Sequence, residues 1–119
     1  MSRNDLTEAA SEKLIYLTTT GRKTEKLHTV ELWFAISEGK IYLSHEGKET
    51  DWMKNTRYNN RVSFVISRRK FIGTARYLRD GTSETERAKE ALYEKYYGKA
   101  SKETIDDWFS LSRLLVIEL

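Results

Sequence analysis

The chain has 119 residues, 33% of them charged and 39% hydrophobic, with a formal net charge of +3. That length suits one domain, expected to span residues 1–119, and the alternation of apolar with polar segments excludes a disordered chain. The absence of cysteine excludes disulfides, thiolate nucleophiles and cysteine-ligated metal clusters, and two histidines far apart in sequence do not make a metal site. No apolar run approaches the roughly 20 residues needed to cross a bilayer, and the first dozen residues are polar. Neither export nor membrane insertion is expected, which makes the cytoplasm the default location.

Thr7 to Lys13 has room for one helical turn before a first strand, Leu14–Leu17, that runs into Thr18-Thr19-Thr20-Gly21. A second strand is predicted over His28–Ile36, because Val30, Leu32 and Phe34 alternate onto one face. Ser37-Glu38-Gly39-Lys40 has hairpin-turn composition, and Ile41–Ser44 resumes as the third strand. From Thr50 the period becomes helical: Trp52, Met53 and Thr56 share one side of a short helix that Thr50 or Asp51 would cap.

Val62–Ile66 and Phe71–Tyr77 are rich in β-formers and flank the charged connection Ser67-Arg68-Arg69-Lys70, giving strands four and five as a hairpin. A longer helix follows, with Ser83 and Glu86 as a capping box, Lys95 in its last turn and Gly98 as its stop. Its stripe is Ala88, Ala91, Leu92 and Tyr96. A short helix near Ile105–Phe109 precedes Leu114–Ile117, whose unbroken apolar character fits a buried sixth strand. The fold class expected is mainly β: a six-stranded antiparallel barrel of consecutive neighbours, closed on itself, with two or three peripheral helices, which the resemblance drawn below makes a split β-barrel.

Gly21-Arg22-Lys23-Thr24 combines a turn-forming glycine, two cations and a hydroxyl at a strand end, the groups that bind phosphate. A solvated loop is the plainer account of the same residues. Ser44 to Trp52 leads from a strand end through Gly47 to a helix start, where free amides attract anions and Lys48 and Thr50 add a cation and a hydroxyl. Glu46, Glu49 and Asp51 fit a merely capped helix equally well. His28 and His45 stand near these segments. Trp33, Trp52 and Trp108 either line an apolar slot or belong to the core. No catalytic triad, paired carboxylate or nucleotide-binding motif is present, so the reactive atoms of an enzyme built on this chain would belong to a cofactor that the protein positions.

Leu17-Thr18-Thr19-Thr20-Gly21-Arg22-Lys23-Thr24, with Thr29-Val30 and Leu32, resembles the signature of the deazaflavin-dependent nitroreductase family. Asp51–Asn55 and Asn59-Asn60-Arg61-Val62 resemble its second block, so that the likeness covers roughly residues 14 to 80. That family lies within the FMN-binding split barrels, which include pyridoxamine phosphate oxidase. The resemblance implies a homodimer with cofactor sites at the subunit interface and an oxidoreductase that passes hydride to a small electron-poor acceptor, such as a quinone or nitro compound. It places Arg22, Lys23 and Thr24 near the cofactor or its acidic tail, backbone around Thr29–Leu32 beside the ring, and Ser44, His45, Lys48 and Thr50 at ribityl and phosphate groups. His28 and Trp52 complete the expected contacts.

Glu25, Leu27, His28, Glu31 and Asn60 stand where the family usually has glycine, proline, arginine, proline and proline. Those departures leave two cofactors open, a deazaflavin coenzyme (factor 420) or FMN. A non-catalytic binder of flavin, haem-like or other planar anionic ligands is the alternative. A nucleic-acid-binding barrel, motivated by Arg61, Arg68, Arg69, Lys70 and Arg76, ranks third. The partners expected are a second copy and a small-molecule acceptor, with no membrane and no nucleic acid.

Overall fold

The computed structural model describes Leu6 and residues 8–119. Leu6, Glu8 and Ala9 are helical, so part of the expected N-terminal turn is present, while Thr7 lies outside the described residues. Seven strands follow: β1 (Ile15–Thr20), β2 (Leu27–Leu32), β3 (Ala35–Ser37), β4 (Lys40–Glu46), β5 (Arg61–Ile66), β6 (Arg69–Tyr77) and β7 (Ser112–Glu118). Three helices join them: α1 (Asp51–Tyr58), α2 (Ser83–Tyr97) and α3 (Lys102–Trp108).

The strands form one antiparallel sheet in the order β2-β1-β5-β6-β7-β4-β3. Two expectations are corrected here. The long second strand is two strands, because Leu32 pairs with Ile15 of β1 whereas Ala35 pairs with Tyr42 of β4. Strand order is also not consecutive, because β7 inserts between β6 and β4.

The residues of β7 explain that position. Leu114, Leu115, Val116 and Ile117 are all buried, which requires cover on both faces and therefore a central strand. Leu115 and Ile117 join the larger core with Ile15, Leu17, Ile41, Leu43, Phe64 and Phe71. Leu114 and Val116 face the other way, against Ala88 and Leu92 of α2 and Ile105 of α3.

Side chains of β1 and β4 meet in the larger core although three strands separate them in the sheet, so the sheet curls. Its two edges, β2 and β3, are joined by Trp33 and Phe34 alone. No ladder links those edges among the described residues, and the sheet is not closed. The expected barrel is therefore an open, curled sheet of seven strands.

Helix caps follow side-chain reach. Thr82, not Ser83, caps α2, its Oγ1 accepting the Thr85 amide at 3.2 Å. Ser83 is already the first helical residue, which carries Glu86 too far along to close the expected box. Gly98 ends α2 at φ 86°, in the left-handed region that glycine tolerates. Ser101 accepts the Thr104 amide at 3.2 Å, which starts α3 at Lys102, earlier than expected.

The first turn of α2 is pinned to the sheet by charge. Arg76 grips Glu84 bidentately at 2.8 and 2.9 Å, and Lys40 reaches it at 3.1 Å. Hydrogen bonding from Arg76, above all, holds the Glu84 carboxyl down at about 2 from its ordinary 4.5. A depressed folded-state value contributes stability above pH 4.5 that is lost as pH falls toward 2. Acid unfolding of Glu84→Gln is expected to show a flatter pH dependence over that window than the parent chain. Equal slopes would contradict the assignment.

The β5–β6 hairpin carries strain. Ser67 and Arg68 occupy φ 52° and 68°, the mirror-image turn that asparagine and glycine favour. Replacing them by Asn-Gly is expected to raise stability by about 1 kcal/mol, or roughly 4 °C in Tm, read by thermal melting.

Candidate functional site

Two concavities share strand β2. The first is a cleft of about 430 Å³ between the β1–β2 connection and the start of α1. The second is a groove of about 630 Å³ between the end of β2, the end of β4 and helices α2 and α3. Both volumes lie in the ~300–1,000 Å³ range of small-ligand sites.

The cleft is built around Gly21. Its amide donates to the Lys26 carbonyl at 2.8 Å, and its carbonyl accepts from the Glu25 amide at 2.9 Å, closing a compact loop. A Cβ on Gly21 would lie 2.8 Å from His28 Nε2 and 3.1 Å from the Lys26 carbonyl oxygen. Glycine is what allows His28 to fold against the loop. Glu25, at φ 58°, turns its carboxylate onto the Tyr58 hydroxyl at 2.7 Å.

Across the cleft, Asn55 is 3% exposed on the inner side of α1. Its Oδ1 accepts from the Arg22 amide at 3.2 Å and from Arg22 Nη1 at 2.9 Å, and its Nδ2 donates to Thr19 Oγ1 at 3.3 Å. Arg22 Nη2 also reaches Asp51 at 3.1 Å. Arg22 is thus fixed by both its backbone and its guanidinium. Lys23 is exposed and has no ion-pair partner among the described residues. Arg22 and Lys23 against Asp51 leave the cleft lining with one net positive charge.

Of the residues expected at the site, Arg22, Lys23, Thr24, His28, Thr29, Val30 and Trp52 line this cleft. Leu32, Ser44 and His45 line the groove instead. Lys48 and Thr50 line neither. Thr50 precedes α1 without a side-chain cap bond, and its buried Oγ1 has no partner. The physical reason for the split is the corner at Trp33–Phe34, which takes the chain from β2 at one edge of the sheet to β3 at the other, with β4 beside β3.

The groove is aromatic. Trp33 stacks on Tyr96 at 4.2 Å with 14° between planes, and Tyr97 packs at 4.9 Å from Trp108. Trp52 is core, whereas Trp33 and Trp108 are about half exposed. The Tyr96 hydroxyl organises this wall: it accepts the Phe34 amide at 2.9 Å and faces the carbonyls of Phe34 at 2.9 Å and Lys13 at 2.8 Å. Behind it, Lys95 Nζ lies 3.5 Å from the Phe34 ring centroid with no hydrogen-bond partner. Burial first, then the charge of Lys13, pushes its pKa down to about 8.

Two positions that build these concavities, Asn55 and Tyr96, were not singled out from the sequence as candidate site residues. Asn55 carried a signal, since an asparagine on the buried side of a short helix, beside Trp52 and Thr56, must find polar partners. Tyr96 carried none beyond its place in an apolar stripe.

The sequence matches the family described as F420H(2)-dependent quinone reductase over residues 5–106. The chain belongs to that family. A solved F420-H2 dependent reductase (FDR-A) is similar to it at 27% identity and a TM-score of 0.70, over 89% of this chain and 94% of that one. A structure described as a domain-swapped dimer is 26% identical with a TM-score of 0.70, over 89% of this chain and 80% of that one. A putative pyridoxamine 5'-phosphate oxidase from Listeria innocua shares the fold, at 18% identity and a TM-score of 0.68, over 97% of this chain and 90% of that one. No curated protein matches. Membership of the F420H(2)-dependent quinone reductase family agrees with the resemblance drawn from residues 14 to 80 and with a cofactor of the deazaflavin or FMN class. Among the described residues, no helix is long and apolar enough to cross a membrane, and no cluster of potential metal ligands occurs.

Proposed function

We propose that this chain is an oxidoreductase that binds a deazaflavin coenzyme in the Gly21–Asn55 cleft and passes reducing equivalents to a small electron-poor acceptor such as a quinone or nitro compound. The observation that carries the reading is the cleft's construction. A glycine loop, a fixed arginine and an unpaired lysine face one apolar wall, the combination suited to an anionic tail joined to a planar head.

The residues present fit such a group. The single net positive charge of the lining suits one phosphate, for which Lys23, Arg22 and the Thr24 hydroxyl supply donors. Val30 and Trp52 would bound the planar portion. FMN, whose terminal phosphate monoester carries between one and two negative charges near neutral pH, fits second. When bound in reduced form, the deazaflavin supplies hydride. The chain's part is to orient the coenzyme through Arg22 and to exclude water with Trp52, while the one proton that accompanies the hydride onto the acceptor comes from solvent.

We take residues 1–119 as one cofactor-binding domain acting in the cytoplasm as a homodimer. Among the described residues, no helix covers the outer face of β2-β1-β5-β6, where Leu27 is 73% exposed and Ile72 49%; a surface of that kind favours a second copy.

Anaerobic mixing of the protein with chemically reduced F420 and menadione tests the enzyme reading. Oxidation of the coenzyme faster than in the protein-free control is expected. No acceleration with menadione, a nitroimidazole or other quinones would remove it.

A further inference from the structure

We propose that Lys95 is a carbamylation site: its amine takes up carbon dioxide reversibly, and the carbamate so formed pairs with Lys13. This inference stands whether or not the cleft takes a flavin.

Lys95 Nζ is buried and has neither a hydrogen-bond nor an ion-pair partner among the described residues. Aromatic rings stand beside it instead, with the Phe34 centroid 3.5 Å away and that of Tyr96 at 5.4 Å. Phe34 is itself fully buried, so an ammonium ion here gives up much of its hydration. A second cation adds to that cost. Lys13 Nζ lies 5.8 Å from the centroid of the same Tyr96 ring, against which Trp33 is already stacked.

The titratable groups facing the amine are Glu12 and Lys13, from the segment before β1, and the Tyr96 hydroxyl, which is engaged with the carbonyls of Lys13 and Phe34. Burial and then Lys13 favour the uncharged amine and bring its pKa to about 8, while the exposed Glu12 opposes them more weakly. An ordinary lysine, at about 10.4, is almost wholly protonated at that pH. Other lysines of the chain are in the opposite situation: Lys40 meets Glu84 at 3.1 Å and Lys102 meets Asp106 at 2.7 Å, which keeps both amines charged.

An uncharged, poorly hydrated amine beside a free cation suits carbon dioxide. The nitrogen lone pair attacks the carbon, a C–N bond forms, one C–O π pair moves onto oxygen, and the nitrogen gives a proton to water; no oxidant or reductant takes part. Carbon dioxide is small and apolar, and so enters a site without polar partners more easily than an anion does. The product carries a negative charge, which turns the Lys95–Lys13 like-charge pair into an ion pair. Lys13 is exposed, so its flexible stem makes room for the three added atoms and draws the carboxylate outward from the Phe34 face. The new pair ties the last turn of α2 to the segment entering β1, next to the bonds that Tyr96 already makes there.

Equilibration of the full chain with carbon-13-labelled bicarbonate at about pH 8 in a closed vessel tests this, read by carbon NMR and by peptide mass mapping after alkylation with triethyloxonium. A carbamate resonance distinct from those of bicarbonate and dissolved carbon dioxide is expected, with the ethoxycarbonyl mass on the peptide that carries Lys95. Lys95→Met, whose linear apolar side chain suits the Phe34 face, is expected to lose that label. Lys13→Gln changes only an exposed position and is expected to lower occupancy of Lys95 about fivefold at sub-saturating carbon dioxide, with any label on a terminal α-amino group unchanged. No label on Lys95 in the parent chain, label spread equally over the exposed lysines, or parental occupancy in Lys13→Gln would overturn the proposal.

Discussion

Asn55→Ala is expected to destabilise the protein by about 2–3 kcal/mol and to lower its Tm by roughly 10 °C. The side chain is 3% exposed and serves three groups: the Arg22 amide, the Arg22 guanidinium and the Thr19 hydroxyl. Truncation leaves the Arg22 amide without its acceptor and Thr19 Oγ1 without its donor in a site that water reaches poorly. Asp51 alone cannot replace those contacts, because it is largely exposed and touches only the far end of Arg22. Loss of the amide bond frees the Gly21–Lys26 loop, so the same variant is expected to weaken coenzyme binding beyond its effect on stability. Thermal melting and a binding titration at a temperature where the variant is fully folded separate the two. A change in Tm below about 2 °C would show that the loop holds without Asn55.

Tyr96→Phe carries the second large effect. Its hydroxyl accepts the amide of Phe34, a residue with 0% exposure, and its proton is shared between the carbonyls of Phe34 and Lys13. Phe34 is where the chain leaves the sheet between β2 and β3, so its backbone groups have no ladder to join. Removing one oxygen is expected to cost about 2 kcal/mol, since a buried amide is left unpaired. The ring and its stacking on Trp33 remain, which distinguishes the lost hydrogen bonds from lost packing. Denaturant unfolding should show a lower midpoint with an unchanged m-value. A midpoint equal to that of the parent chain would mean that solvent satisfies Phe34.

How far the sequence reaches can be seen in these two residues. Every strand was legible where one face is buried: Ile15, Leu17 and Thr19, or Val62, Phe64 and Ile66, alternate because the sheet is covered on one side there. The hairpins at Glu38-Gly39 and Ser67-Arg68 were legible from turn composition and strand spacing. Where the chain turns a corner, pattern fails. Val30, Leu32 and Phe34 keep strand periodicity straight through Trp33, and only the Tyr96 hydroxyl, far along the chain, marks the break. Strand order was similarly out of reach, because pairing β7 between β6 and β4 depends on the helices that cover its second face.

The site was partly legible for the same reason. Arg22, Lys23, Thr24, His28, Thr29 and Val30 are close in sequence and stay together in space. Ser44 and His45 were joined to them by resemblance, but the curl of the sheet carries the end of β4 to the groove. Asn55 is the residue that ties the two cleft walls, and its role depends on a contact between positions on different elements.

Equilibrium binding of oxidised F420 to the parent chain and to Lys23→Glu tests the central claim most directly. One coenzyme per chain is expected, with affinity about tenfold weaker in Lys23→Glu and unchanged in the groove variant Trp33→Leu. Failure to bind F420 or FMN at tens of micromolar, or equal binding by the parent and Lys23→Glu, would contradict a cofactor seated in the Gly21–Asn55 cleft.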